Sequence, residues 1–419
     1  MFSIKRAIDQ IHNTNIKNNM NLELNGLRGA ACLLVFTFHC RVLSGSPDLR
    51  PELGLLFYFP LFGAYAVDLF FVLSGFFIIL PYVKTQEKPS KKISLVTYYK
   101  KKFARIFPAY YLNLLVMFGV VVPLVLGFKY LSSEPGTFML LAHLSFLQYM
   151  HPATSSSLGM NGALWTLSIT FQFFLIFPFV KNLFINGKEK IYLFVFIAIS
   201  VLWKYLAWYD MDFLYKIAME PVSRFGVSEF TIRFFLSNQL PANLSHFAIG
   251  MFLGNLYIKS RNRKGKGNII VRYLLRVVLL SGLILALYSF RVAELSVPPW
   301  FYLWRLCVAA GSGCLIYLTA IDGPIVFKMF FRNKYLGFLG NLSYEIYLWH
   351  VLILYVLNKT ILINYIKGVN LFWLFIFLGG AITILISYTS MKLVSFMLKP
   401  MSKKDERKII QRVKFFLEK

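Results

Sequence analysis

Charge is scarce in this chain, and acidic charge is the scarcest. Only 15% of the 419 residues are charged, where a soluble domain carries roughly 25%. Asp and Glu together number 18, against 45 Lys and Arg. So little charge cannot clothe a water-soluble surface of this size, which excludes an ordinary soluble globular protein. Cysteine is nearly missing too: there are four, Cys32, Cys40, Cys307 and Cys314, and each lies inside an apolar run. They read as small hydrophobes, which excludes a disulfide framework and a Cys-based metal knuckle, and no metal is expected. The sequence contains no Walker loop, no dinucleotide glycine fingerprint, no Gly-x-Ser-x-Gly turn and no His-Glu-x-x-His helix. Nucleotide hydrolysis and metal hydrolysis therefore lack their usual signatures. No cleavable leader is evident, since the first apolar run starts near Gly29 and leads straight into others.

What is present is apolar surface in long runs. Hydrophobic residues make up 58% and aromatic residues 18%, and mean hydropathy is +0.61. A helix needs ~20 apolar residues to cross a bilayer. Ten runs qualify, at about 29–46, 59–82, 105–127, 163–180, 191–209, 237–258, 273–290, 300–320, 337–358 and 370–397. A further stretch, 137–150, is too short to cross and reads as re-entrant or interfacial. The expected fold is an all-α polytopic transmembrane bundle. A cytoplasmic N-terminal segment (1–28) precedes one membrane domain (29–398), and a basic cytoplasmic tail (399–419) follows it. No stretch on the outer side is long enough for a second catalytic domain, the longest being about 210–236, and no internal repeat is visible.

The net charge of +27 is distributed as a membrane protein distributes it, not along one face that could grip nucleic acid. Of the 45 Lys and Arg, 32 fall in segments on one side of the predicted spans and eight on the other. The positive-inside rule then makes both termini cytoplasmic and the location the inner (plasma) membrane.

Ionisable residues within the spans are functional candidates, because charge in a bilayer is costly. They are Arg28, His39, Arg41, Asp68, Lys204, Arg305, Glu345, His350 and Lys392. Lys204 and Lys392 lie within reach of a span end, where snorkelling accounts for them. Arg28 and His39 stand eleven residues apart, which returns a helix to within ~20° of the same face after a rise of roughly 16 Å. One face thus presents a fixed cation at its mouth and a titratable imidazole deeper in. His39 either takes part in chemistry or bonds a neighbouring helix. Asp68, if adjacent, would fix the imidazole tautomer; otherwise it is a helix-packing contact. Ser74 in "LSGFF" reads as a small residue permitting close helix approach. His350 either joins a cavity or is a satisfied core histidine. His12, His143, His151 and His246 show no partner pattern.

These residues also carry a resemblance. "LNGLRGAACLLVFTFH" (Leu24 to His39) resembles the opening of the acyltransferase-3 family of membrane O-acyltransferases, with its His eleven residues after its Arg. "AVDLFFVLSGFFI" (Ala66 to Ile78) is similar to the family's second-helix signature, and "KKFARIFPAYYL" (Lys101 to Leu112) to the basic entry of its third helix. "ALWTLSITFQFFLIFP" (Ala163 to Pro178) and "LGNLSYEIYLWH" (Leu339 to His350) resemble two later segments, in the family's order. Two positions depart from the pattern: Asn25 stands where Asp is usual, and Thr170 where many members have Glu. The first removes a possible partner for Arg28, and the second leaves any catalytic carboxylate to come from elsewhere.

The resemblance implies transfer of an acyl group, usually acetyl from acetyl-CoA, to a hydroxyl of a glycan or glycolipid such as O-antigen outside the membrane. It implies Arg28 and His39 as the essential first-helix pair, and Lys102 and Arg105 as the basic pair for a CoA phosphate. The catalytic expectation is His39, Arg28 and Asp68; the donor-binding expectation is Arg28, Lys102 and Arg105. Imidazole suits this chemistry as base or acyl carrier near neutral pH. A different class of function competes: a transporter or flippase whose Arg28, His39 and Asp68 line a substrate or proton path. A structural membrane subunit without catalysis is the third reading.

Overall fold

In lipid a backbone finds all its hydrogen-bond partners internally only as a helix or a closed barrel. The computed structural model shows the helical solution. It describes residues 21–45, 62–87, 93–209, 232, 235–262, 273, 274, 276–282, 284, 300–359 and 366–398, and every regular element among them is a helix. The principal ones are α1 (Leu22–Leu43), α2 (Gly63–Glu87), α3 (Leu95–Val116), α4 (Glu134–Leu144), α5 (Leu164–Val180) and α6 (Glu189–Tyr209). After them come α7 (Leu240–Asn262), α8 (Trp300–Ile316), the short α9 (Ile325–Phe331), α10 (Lys334–Leu357) and α11 (Gly380–Met397). α3 continues through a π turn at Met117–Val121, and α11 is entered through another at Phe375–Gly379.

Seven of the described helices are long and apolar enough to cross a membrane: α1, α2, α3, α5, α6, α8 and α11, several with their extensions. α7 and α10, at 23 and 24 residues, have spanning length as well. α10 is less apolar because Asn341, Ser343, Glu345 and His350 interrupt it. It can carry them because its polar positions are screened from lipid: Ser343, Glu345 and His350 are all buried. α4, with 11 residues, rises only ~16 Å, as expected of the non-crossing stretch at 137–150. The expected span 273–290 and both chain ends fall largely or wholly outside the described residues.

Two helices begin earlier than their apolar runs. α1 starts at Leu22, capped by Asn21, whose side chain accepts a hydrogen bond from the Leu24 amide at 2.9 Å. α3 starts at Leu95, where Ser94 caps through the Thr97 amide at 3.2 Å. Hydropathy marks where lipid begins, whereas caps mark where the helix begins. Arg28, Lys102 and Arg105 consequently sit inside rigid helix, not in the loops before it.

Close helix contacts build the centre. α1 crosses α10 so tightly that a Cβ on Gly29 would overlap the Leu336 carbonyl, and one on Gly340 would overlap the Asn25 carbonyl. α2 meets α7 in the same way, Gly75 against the Phe247 backbone and Gly250 against Val72. Small residues at such crossings let backbones approach. In "LSGFF" the packing residue is therefore Gly75, while its neighbour Ser74 lines a cavity.

Three ion pairs gather at one end of the bundle. Arg332 binds Glu23 at 2.8 Å, Lys259 binds Glu189 at 2.6 Å and Arg276 binds Asp322 at 2.6 Å. The Lys259–Glu189 pair ties the end of α7 to the start of α6, and Asn21 at the start of α1 donates to the Tyr257 hydroxyl of α7 at 3.3 Å, so these three termini lie at one end of the bundle.

Candidate active site

A cavity of about 460 Å³ opens between α1, α2, α3, α5 and α10. Arg28, Lys102 and Arg105 all line it. The sequence expected these three cations to converge, and the structure brings them together. Arg28 donates from Nη2 to the Ser343 hydroxyl at 2.8 Å, and Ser343 donates to the Gly340 carbonyl at 2.8 Å. The guanidinium is thus aimed by α10, one face of which it shares with Tyr344 and Tyr347 along the cavity wall. Lys102 Nζ lies 4.3 Å from the centre of the Phe174 ring, a cation–π contact that holds the ammonium without neutralising it. Apolar side chains from α2, Val67, Phe70, Phe71 and Phe77, supply the opposite wall.

Both departures from the family pattern are found here. Asn25 is buried and donates to the Gly337 carbonyl at 2.7 Å, tying α1 to α10. It acts as a strut, and Arg28 takes its partner from Ser343 instead. Thr170 lines the cavity. A nearby carboxylate comes from Glu345, which is 9% exposed and close enough to Arg28 and Arg105 to interact electrostatically.

His39, on the same helix as Arg28, lies deeper and does not line the cavity. Its partner is His350 on α10. His350 Nε2 stands 3.2 Å from His39 Nδ1, with the rings edge to face and their centroids 4.8 Å apart. The remaining contacts assign the protons. His350 Nδ1 faces the Ile346 carbonyl at 2.9 Å and the Tyr347 carbonyl at 3.0 Å, so it must carry hydrogen. In a neutral ring its Nε2 is then a lone pair. His39 Nδ1 faces that lone pair and the Val35 carbonyl at 2.9 Å, so it also carries hydrogen. The unprotonated nitrogen of His39 is Nε2, and it makes no hydrogen bond among the described residues. The pair leaves one imidazole nitrogen with an uncommitted lone pair.

Tyr347 separates this pair from the cavity. Its hydroxyl accepts from Thr166 at 2.6 Å, and its ring lies 5.6 Å from His350 and 6.0 Å from Phe70. α10 itself is pinned by Tyr344, which donates to the Ile106 carbonyl at 2.7 Å, and by Asn113, which donates to the Leu348 carbonyl at 3.0 Å.

The expected pairing of Asp68 with His39 is corrected. Asp68 is fully buried and faces away, accepting from His246 Nε2 at 2.7 Å and from Arg305 Nε at 3.1 Å. Arg305 also donates to Asn238. The physical reason is helix periodicity: Val67, Phe70, Phe71 and Ser74 turn to the cavity, and Asp68 lies off their face, toward α7 and α8. Lys204 is corrected as well. It is 3% exposed and electrostatically coupled to Asp68 and Arg305, so it does not snorkel, whereas Lys392 is exposed as expected. Sequence reasoning missed His246, whose partner lies 178 residues away, a distance over which spacing carries no signal. It held His350 open, and the i, i+4 carbonyl contact could not have told cavity from core.

Long apolar helices packed around a cationic cavity, with His39 farther along the helix that carries Arg28, make this a multi-pass membrane protein. The family model described as "Acyltransferase domain" matches residues 21–392, and the chain belongs to the acyltransferase-3 family. It is similar to the acyltransferase MdmB of Streptomyces mycarofaciens, 25% identical over 344 residues that cover 79% of this chain and 78% of that protein. The peptidoglycan O-acetyltransferase OatA of Listeria monocytogenes is 25% identical over 336 residues, 78% of this chain and 48% of the relative. The O-acetyltransferase OatA of Staphylococcus aureus is 23% identical over 359 residues, 82% and 52%. The match thus spans about half the length of either OatA. No solved structure matches significantly.

Proposed function

We propose that the protein is an O-acetyltransferase that takes acetyl from cytoplasmic acetyl-CoA and passes it to a hydroxyl on an extracytoplasmic envelope glycan or glycolipid. The observation that carries this reading is the convergence of Arg28, Lys102 and Arg105 on one cavity, with Arg28 on the same helix, α1, as His39, which pairs with His350 of α10. CoA phosphates suit three cations that lack a full complement of carboxylates. The extended pantetheine arm is comparable in length to the roughly 16 Å between Arg28 and His39. The family match favours an enzyme over the transporter, and the names of MdmB and OatA favour acyl and O-acetyl transfer.

In the mechanism, His39 Nε2 receives the proton of the acceptor hydroxyl. The freed oxygen attacks the thioester carbonyl, the C–S bond breaks, and the CoA thiolate leaves with the proton returned by His39. His350 acts as a positioning residue that keeps hydrogen on His39 Nδ1. If His39 instead carries the acetyl, Nε2 attacks the thioester carbonyl and the CoA thiolate leaves, and the acceptor hydroxyl then takes the acetyl from the imidazole and gives up its proton. Only that route leaves acetyl on the protein when acceptor is withheld. Arg28 places the donor and moves no proton, since guanidinium stays charged.

The test is transfer of labelled acetyl from acetyl-CoA by purified protein in lipid vesicles to envelope glycan from a strain lacking the gene. Label in the glycan is expected. Glycan flux across the vesicle without label in it would favour the transporter and overturn the proposal.

A further inference from the structure

The acetyl-transfer reading leaves unused the buried cluster on the far side of α2. Asp68, His246, Arg305 and Lys204 come from α2, α7, α8 and α6, and all are at most 9% exposed. Asp68 is shared between His246 and Arg305, and among the described residues the cluster sets two basic side chains, Lys204 and Arg305, against one carboxylate. An excess buried charge is costly unless something compensates it. Lys204 is the unmatched member: its ammonium has no hydrogen bond among the described residues, although it couples electrostatically to Arg305, Asp68 and His246. The neighbourhood fixes where it points. One turn earlier on α6, Ser200 donates to the Pro241 carbonyl at 3.0 Å and accepts from the Ser245 amide at 2.9 Å. Residues four apart share a helix face, so Lys204 is directed at the start of α7, where His246 sits.

Aromatic faces accompany the charge. The Arg305 guanidinium lies 5.6 Å from the Trp165 ring centre and 5.5 Å from Trp304, and Trp304 packs edge-on against Tyr65 at 5.5 Å. Both tryptophans are only half-buried. The two rings hold the guanidinium between them, a cation–π setting that keeps it charged beside Asp68. The cluster is also well placed. α2 starts at Gly63, which packs on Leu34 and Phe38 of α1, next to His39. The cluster and His39 therefore lie on either side of the same end of α2, and Val67, Phe70 and Phe71 divide the cluster from the donor cavity.

We propose that Lys204 and Arg305, flanked by Trp165 and Trp304, bind an anionic group, a carboxylate or a phosphate, on the acceptor glycan and so select acidic acceptors. The term acceptor rests on the acetyl-transfer reading; anion binding at the cluster does not. The experiment uses the full-length protein in lipid nanodiscs without donor. Equilibrium binding is measured for labelled methyl glucoside, methyl glucuronide and glucose 1-phosphate. At least one anionic sugar is expected to bind about tenfold or more tightly than the neutral one, the worth of one charge-assisted hydrogen bond. The tighter of the two anions tells carboxylate from phosphate. Lys204→Met should abolish the preference and Lys204→Arg should keep it, with CoA binding unchanged in both as a check on folding. Equal affinity for all three sugars in the wild type would overturn the proposal, whatever the variants do. So would an undiminished preference in a folded Lys204→Met. Anion preference without acetyl turnover would remove the reaction and leave the subsite. Turnover without the preference would remove the subsite alone.

Discussion

Two ring nitrogens of the His39–His350 pair face backbone carbonyls, at Val35 and at Ile346 and Tyr347, which leaves the uncommitted lone pair on His39 Nε2. His39→Ala removes that lone pair, and transfer should fall at least about a hundredfold, the usual worth of a general base, while CoA affinity stays near normal. His350→Ala should cost less, roughly tenfold in kcat, because it removes one orienting hydrogen bond. His350→Gln, which can again offer an acceptor near the lost Nε2, should recover part of it. Equal losses in Ala and Gln would mean that His350 serves packing only. Donor binding is a separate matter of charge. Replacing Lys102 and Arg105 together by Gln should weaken CoA by a few kcal/mol, measured as Kd by calorimetry, since each removes a charge-assisted contact of about 1.5–3 kcal/mol. Unchanged affinity would reduce these residues to topological charge.

Among the elements, α10 is the one on which the site depends. It carries Ser343, Tyr347 and His350, and it meets α1 through Gly29 and Gly340 at backbone-to-backbone distance. A larger side chain there has to push the helices apart. Gly29→Val should destabilise the protein by about 1–3 kcal/mol or more, seen as a lowered unfolding midpoint in detergent. It should also reduce transfer, because Arg28 and His39 would lose their register with Ser343 and His350. A variant at full stability and activity would mean the crossing is slack. The helices themselves were legible from hydropathy, but their starts were not: the Asn21 and Ser94 caps lie before the apolar runs begin. Arg28, Lys102 and Arg105 therefore belong to rigid walls of the cavity.

For the whole molecule, the ion pairs Glu23–Arg332, Glu189–Lys259 and Asp322–Arg276 mark one end of the bundle. The 32 cations on one side of the spans predict that this end faces the cytoplasm. Cysteines placed at Lys88, Lys264 and Lys404 should then resist impermeant labelling from outside intact cells. Strong labelling at any of them would invert the protein and move the donor cavity to the wrong side for cytoplasmic acetyl-CoA.

By itself the sequence determined the helical membrane class, the cationic pair on α3 and the shared face of Arg28 and His39. Each of these follows from composition, local charge or a rotation of 100° per residue, and needs only neighbours along the chain. The partner of each buried polar group was decided by the tertiary structure alone. His39 is met by His350, 311 residues away, and Asp68 by His246, 178 away, and by Arg305, 237 away. Two helices three hundred residues apart touch at one rotation and one depth, which side-chain volume at the crossings selects. No spacing along either helix encodes which face of the other it will meet.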